Sequence, residues 1–182
     1  MTLDREHAHR LLTELAHKLH DADVAVTIHI VGGAAIMLTA RPDRTATVDV
    51  DSWINCGTDD DTRAKVIGAA VEIARANPGI NEDWLNEKAS RFIPDSVGGN
   101  PNDWIALIDV GDVHIVAARA EVLLAMKLLA GRGRRDLPDV DALVVACRLT
   151  TIAEVEQIFD RFYPYDEMSP RAHTWLEQHM TA

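Results

Sequence analysis

Thr47-Val48-Asp49-Val50-Asp51 is the stretch that decides the fold. Side chains alternate between the two faces of a β-strand. Asp49 and Asp51 therefore share one face, with backbones about 7 Å apart, while Val48 and Val50 point to the other, where a core takes them. Two adjacent carboxylates repel, and a strand that places them together usually compensates with a cation. Hard oxygen donors suit Mg²⁺, which binds through one or two carboxylates plus substrate phosphates. Two such ions clamp the attacking and leaving oxygens of a phosphoryl displacement. Taken alone, Asp-x-Asp also describes a solvated edge strand.

The residues upstream narrow the choice. Val24-Ala-Val-Thr-Ile-His-Ile-Val31 is short and β-branched, the mark of a buried strand. Gly32-Gly33 ends it, and Ala34 to Ala40 makes a short apolar helix that Arg41-Pro42-Asp43 breaks. A glycine turn between strand and helix presents free backbone N–H groups to an anion and lets a ligand approach the backbone. The acid strand then runs from Thr45 to Ile54. The order strand, Gly-Gly, helix, acid strand is more specific than any of its parts.

Further along, residues 60–76 form a helix, a short helix is expected near Trp84–Ala89, and residues 104–110 and 113–118 form two strands joined at Gly111-Asp112. Leucines 11, 12, 15 and 19 mark a helix over residues 3–20. After residue 118 the pattern is helical: 121–130, about 138–149, 152–163 and 170–180. Asp136, Thr151 and Ser169 stand at capping positions. The expectation is an α/β (α+β) fold, a small mixed sheet flanked by helices over residues 1–118, with a C-terminal helical region over 119–182.

Composition excludes several classes. The chain has 182 residues and a formal net charge of −11, which argues against a general nucleic-acid coat. One basic stretch, Arg132, Arg134 and Arg135 with Lys127 upstream, offers a local contact for RNA or phosphate. The two cysteines, Cys56 and Cys147, have no metal-like spacing. His7, His9, His17 and His20 also lack zinc-ligand spacing. The opening residues are charged and no run of about 18 apolar residues occurs, so a soluble cytoplasmic protein is expected. Trp84 and Trp104 read as core; Trp53, just past the acids, reads as core or as a base-stacking platform.

Two blocks carry a resemblance. Ile28-His-Ile-Val-Gly-Gly-Ala-Ala35 with Arg44-Thr-x-Thr-x-Asp-x-Asp51 resembles the nucleotidyltransferases of the DNA polymerase β superfamily. Glu121-Val-Leu-Leu-Ala-Met-Lys127 with Arg135-Asp136-Leu-Pro-Asp139 narrows it to the AbiEii-type toxins, a group that includes the MenT toxins. The resemblance implies that Asp49 and Asp51 hold Mg²⁺ (or Mn²⁺) and that Gly32 and Gly33 contact phosphate. Many relatives carry a serine where this chain has Gly33. Lys127 matches the functional lysine, expected to neutralise triphosphate charge. Asp136 matches the acid after arginine, with Asp139 as the alternative. Arg44 is placed to reach a phosphate or a partner strand. Asp109 is the positional candidate for a third metal-binding carboxylate, or else a turn residue before Gly111. The implied activity is transfer of a nucleotide from an NTP to an acceptor, a tRNA 3′ end by this resemblance, by a toxin with a cognate antitoxin. Nucleotidylation of a protein hydroxyl and a non-catalytic nucleotide-binding module are the alternatives.

Overall fold

A computed structural model of the chain describes residues 2–41, 44, 46–55, 59–97, 100–131 and 136–180. The elements run α1 (Arg5–Asp21), β1 (Val26–Val31), α2 (Gly32–Thr39), β2 (Val50–Asn55), α3 (Asp60–Ala76), β3 (Leu85–Asn86), β4 (Trp104–Val110), β5 (Val113–Ala118), α4 (Ala120–Ala130), α5 (Leu137–Ala146), α6 (Ile152–Phe162) and α7 (Pro170–His179). They divide into two compact units. The first comprises Met1–Ser90 and Trp104–Ala118, the second Arg91–Asp103 and Arg119–Ala182.

The first unit is built on one mixed sheet, in the order β3-β2-β1-β5-β4. β1 pairs antiparallel with β2 and parallel with β5, β2 pairs parallel with β3, and β4 pairs antiparallel with β5. Ile28, Ile30, Val50, Ile54, Val113 and Ile115 are buried. α1, which packs against β4 and β5, buries Leu11, Leu12, Leu15 and Leu19, the stripe that the leucine spacing predicts. Asp4 caps α1 by accepting from the His7 N–H at 2.8 Å.

α2 is apolar all round, with Ala34 to Leu38 buried, as a helix enclosed by its neighbours must be. Its C-terminal carbonyls are held by Arg5, whose guanidinium donates to Met37 O at 2.8 Å and Leu38 O at 2.7 Å. A cation there complements the negative end of the helix dipole.

Three expectations are corrected. The acid strand is shorter than expected: β2 starts at Val50, and among the described residues just upstream only Thr47 pairs, in an isolated bridge with Leu3. Val48 therefore does not enter the core and is 60% exposed, whereas Val50 is fully buried. The stretch 84–89 is not helical: Leu85–Asn86 form a short strand and residues 88–89 a turn. The Val50 N–H donates to Trp84 O at 2.6 Å and β3 pairs with β2, so the edge of β2 takes the backbone groups a helix would have used. Trp84 is buried, its indole N–H on Ala70 O at 2.9 Å. Finally, α2 begins at Gly32, so the glycines form its first turn rather than a separate link.

In the second unit α4 is the central helix, with Val122 to Met126 and Leu128 buried. Packing against it are α5, α6 and α7. Thr151 and Glu154 make a reciprocal capping box at the start of α6, and Ser169 caps α7. α4 ends at Gly131, with φ +50°, where Ser169 packs so closely that a Cβ would meet its Oγ at 2.0 Å; only glycine fits.

Candidate functional site

The acids and the glycine turn come together in the first unit. Val31, the last residue of β1, lies directly across from Asp51, and the chain then turns into α2 at Gly32. Gly32 has φ +64°, and a Cβ there would lie 2.5 Å from Asp51 Oδ2. The Asp51 carboxylate thus rests against the bare α-carbon of the first helical residue. Both the left-handed backbone and the close contact demand glycine. Val31, at the N-cap, supplies no side-chain cap, so the first-turn amides face the same region as the carboxylate.

Gly33 serves a different neighbour. A Cβ there would meet Arg44 Nη2 at 2.9 Å and Thr47 Oγ1 at 3.2 Å. Arg44, charged at every physiological pH, is thus laid over the helix start. Thr47 is fixed from both sides: its backbone exchanges hydrogen bonds with Leu3 at 2.7 and 2.8 Å, and its hydroxyl donates to Asp49 O at 3.0 Å.

Asp49 precedes β2, and its side chain is oriented by Asn86, whose amide donates to Oδ2 at 3.2 Å. Asn86 is buried and engaged further: its Oδ1 accepts from the Lys88 N–H at 3.0 Å, and its backbone carbonyl accepts from Ser52 Oγ at 3.1 Å. Asn86 is the site residue that sequence reasoning missed. Its signal is tertiary, since it reaches Asp49 only because β3 pairs beside β2.

Two half-buried carboxylates with orienting partners fit Mg²⁺, which completes its shell with phosphate and water. Among the described residues no group of three or more His, Cys, Asp or Glu side chains forms a metal cage. An ion at Asp49 and Asp51 would therefore draw its remaining oxygens from substrate and solvent.

Asp109 does not join this pair. It stands opposite His114, which pairs with Thr27, whereas Asp51 stands opposite Val31. That is four residues farther along β1, about 13 Å. Asp109 instead pairs with the His114 imidazole at 2.7 Å on an exposed surface.

Beyond the acids on the same face lies an aromatic cluster. The His29 ring stands 4.8 Å from Trp53 and 4.2 Å from Trp104, the latter edge-on. Burial pushes the His29 imidazole down to about 4, against a weaker upward pull from the Trp53 backbone. Among the described residues its Nδ1 has no hydrogen-bond partner. Trp53 is committed to this packing on one side.

The second unit brings together Lys127, Asp136 and Asp139. Lys127 Nζ lies 2.6 Å from Asp136 Oδ1 and 3.0 Å from Asp139 Oδ2, with side-chain exposures of 11%, 4% and 3%. Asp136 occupies the N-cap position of α5 but makes no side-chain cap. A charge-assisted bond to a buried ammonium is worth more than a neutral N–H contact, and this decides the competition. Lys127 and Asp136 also line a cavity of about 490 Å³ formed by α4, α5 and α7. Arg132, Arg134 and Arg135 lie outside the described residues.

No protein-family model matches the chain, and no curated protein matches it. Among solved structures, an antigenic nucleotidyltransferase-like protein from Paracoccidioides brasiliensis aligns with 100% of this chain and 97% of its own, at 14% identity and a TM-score of 0.53. The fold is nucleotidyltransferase-like. This nucleotidyltransferase-like fold includes the small mixed sheet flanked by helices that the sequence led us to expect, with a fifth strand, β3, where a helix was expected. Among the described residues no helix is long and apolar enough to cross a membrane.

Proposed function

We propose that the chain is a nucleotidyltransferase that uses Mg²⁺ (or Mn²⁺) held by Asp49 and Asp51. The observation that carries this reading is the Asp51 carboxylate set against Gly32 at the start of α2. It supports the reading because a carboxylate able to hold a metal ion stands at the start of a helix, whose amides suit phosphate, in a fold of the matching class.

The reaction is in-line displacement. An acceptor hydroxyl oxygen bonds to the α-phosphorus of an NTP, the α–β bridging bond breaks, and pyrophosphate leaves. When bound, the metal neutralises charge on the phosphates and holds them in line. The protein's own groups do the positioning. First-turn amides of α2 bind phosphate oxygens, Arg44 adds a fixed positive charge, and Asn86 keeps Asp49 turned toward the ion. The resemblance adds Lys127 and Asp136 of the helical unit, a hydrogen-bonded pair, to the functional residues. Two carboxylates already offset the lysine, so it contributes directed N–H bonds rather than net positive charge.

The finer reading follows from the resemblance of the two sequence blocks to the AbiEii and MenT toxins. The acceptor is RNA, a tRNA 3′ end, and the protein is a growth-inhibiting toxin with a cognate antitoxin. With a net charge of −11, contact with RNA falls to Arg132, Arg134 and Arg135.

The test is incubation with Mg²⁺, total tRNA and each α-labelled NTP in turn, with Asp49→Ala as control. Label in tRNA that the variant fails to add supports the full reading. Label on protein keeps the chemistry and replaces the acceptor with a protein hydroxyl. NTP binding without label in any acceptor defeats the enzymatic reading in favour of a nucleotide-binding module.

A further inference from the structure

The sheet face that carries Asp51 holds a further polar group. Cross-strand partners share a face, so Asp51 stands with Val31 and Trp53 with His29, and this second pair lies two residues back along β1, about 7 Å from the first. His29 is 5% exposed. The indoles of Trp53 and Trp104 stand 4.8 and 4.2 Å from its ring, and of the two Trp53 is the half-exposed one. Among the described residues Nδ1 finds no hydrogen-bond partner. A buried nitrogen left unpaired is costly, and packing alone would be served as well by phenylalanine.

The Asp51 row has two sides. On one lies Gly32, where the chain turns into α2 and where first-turn amides suit the phosphates of the leaving group. In-line displacement sets the entering and leaving oxygens on opposite sides of the phosphorus, so the attacking hydroxyl belongs on the other side, that of His29. Burial holds the imidazole neutral down to about pH 4, so it has no charge with which to draw phosphate. A neutral imidazole has one donor and one acceptor nitrogen, and a hydroxyl both donates and accepts, so either tautomer can hold it.

We propose that His29 Nδ1 is the hydrogen-bonding partner of the acceptor's attacking hydroxyl, and that Trp53 is the ring that turns aside to admit it. The contact aims the oxygen at the α-phosphorus and satisfies the buried nitrogen. The inference rests on the nucleotidyltransferase reading and adds a residue to its acceptor side.

The test joins transfer kinetics with NMR on the full chain. Wild type, Asp49→Ala, His29→Phe and His29→Asn receive Mg²⁺, α-labelled NTP and, in separate reactions, total tRNA or total cell protein. We expect His29→Phe to keep its fold and its NTP affinity and to transfer label about 10²-fold more slowly. His29→Asn, which returns a neutral hydrogen-bonding group, should recover about tenfold of that loss. A packing role sets the opposite order, because phenylalanine suits an aromatic cluster and the smaller, polar asparagine does not. Independently of turnover, the His29 imidazole nitrogen signal is identified by its absence in His29→Phe. It should shift when the accepting macromolecule joins the chain already holding Mg²⁺ and an α,β-methylene NTP, which cannot transfer. Transfer by His29→Phe at the wild-type rate, or activity lowest in His29→Asn, overturns the inference while Asp49-dependent labelling keeps the reading. A signal that shifts with the NTP analogue alone, and no further with the acceptor, also overturns it. Absence of label in every wild-type reaction removes the reading and the inference together.

Discussion

Both units gather two aspartates, and they treat them in opposite ways. In the α/β unit Asp49 and Asp51 are half-exposed, one oriented by a neutral amide and the other resting on a glycine. In the helical unit Asp136 and Asp139 are buried against Lys127. The difference separates carboxylates left half-exposed from carboxylates buried against an ammonium of the same unit. Residue type does not distinguish them, whereas burial and partner do.

The sharpest way to break this contrast is to remove the built-in cation. Lys127→Met leaves two buried carboxylates without their ammonium and should cost about 3–5 kcal/mol, read by chemical denaturation. A loss below about 1 kcal/mol would mean that the aspartates are supported elsewhere and that the lysine is free for substrate. Asp51→Asn is the converse change. It keeps shape at a half-exposed site, so stability should hold while transfer to acceptor falls about 10³-fold; equal losses in folding and activity would show that Asp51, too, is structural.

The next effect comes from His29, buried beside Trp53 and Trp104. Its folded pKa is lowered to about 4 from an unfolded value near 6.5. The unfolded state therefore takes up the proton first as pH drops. Stability is complete above pH ~6.5 and falls progressively toward pH ~4, by on the order of 2–3 kcal/mol. His29→Phe should flatten that part of the stability profile relative to wild type. An unchanged slope would assign the acid sensitivity to other groups. The smallest effect is expected for Asn86→Ala. Loss of an orienting partner weakens metal affinity about tenfold, measurable by magnesium titration of activity, with turnover at saturating metal nearly retained.

Legibility in the sequence followed the range of the interaction. The strands 104–110 and 113–118 and the caps at Thr151 and Ser169 are written in local signals, alternation and capping chemistry, and the structure has them in those places. The meeting of Gly32 with Asp51 was legible as an order of elements, though not as a contact. What was not legible depends on distant partners. Residues 84–86 extend because the edge of β2 recruits them. Val48 turns outward because the chain before β2 is held by Leu3. Asp136 abandons its cap because Lys127, nine residues earlier, outbids the backbone. Asp109 lies at the far end of the sheet because register, which composition does not encode, places it there.

Leu3 and Arg5 stand two residues apart and hold opposite sides of the acid site. Leu3 grips Thr47, ahead of Asp49, and Arg5 grips the far end of α2, whose near end faces Asp51. One short segment is thus a common mooring for the carboxylates and for the phosphate-facing helix. Disturbance there loosens both at once, so the site slackens as a whole instead of losing one half, and hydrogen exchange at residues 33–37 and 47–51 should rise together.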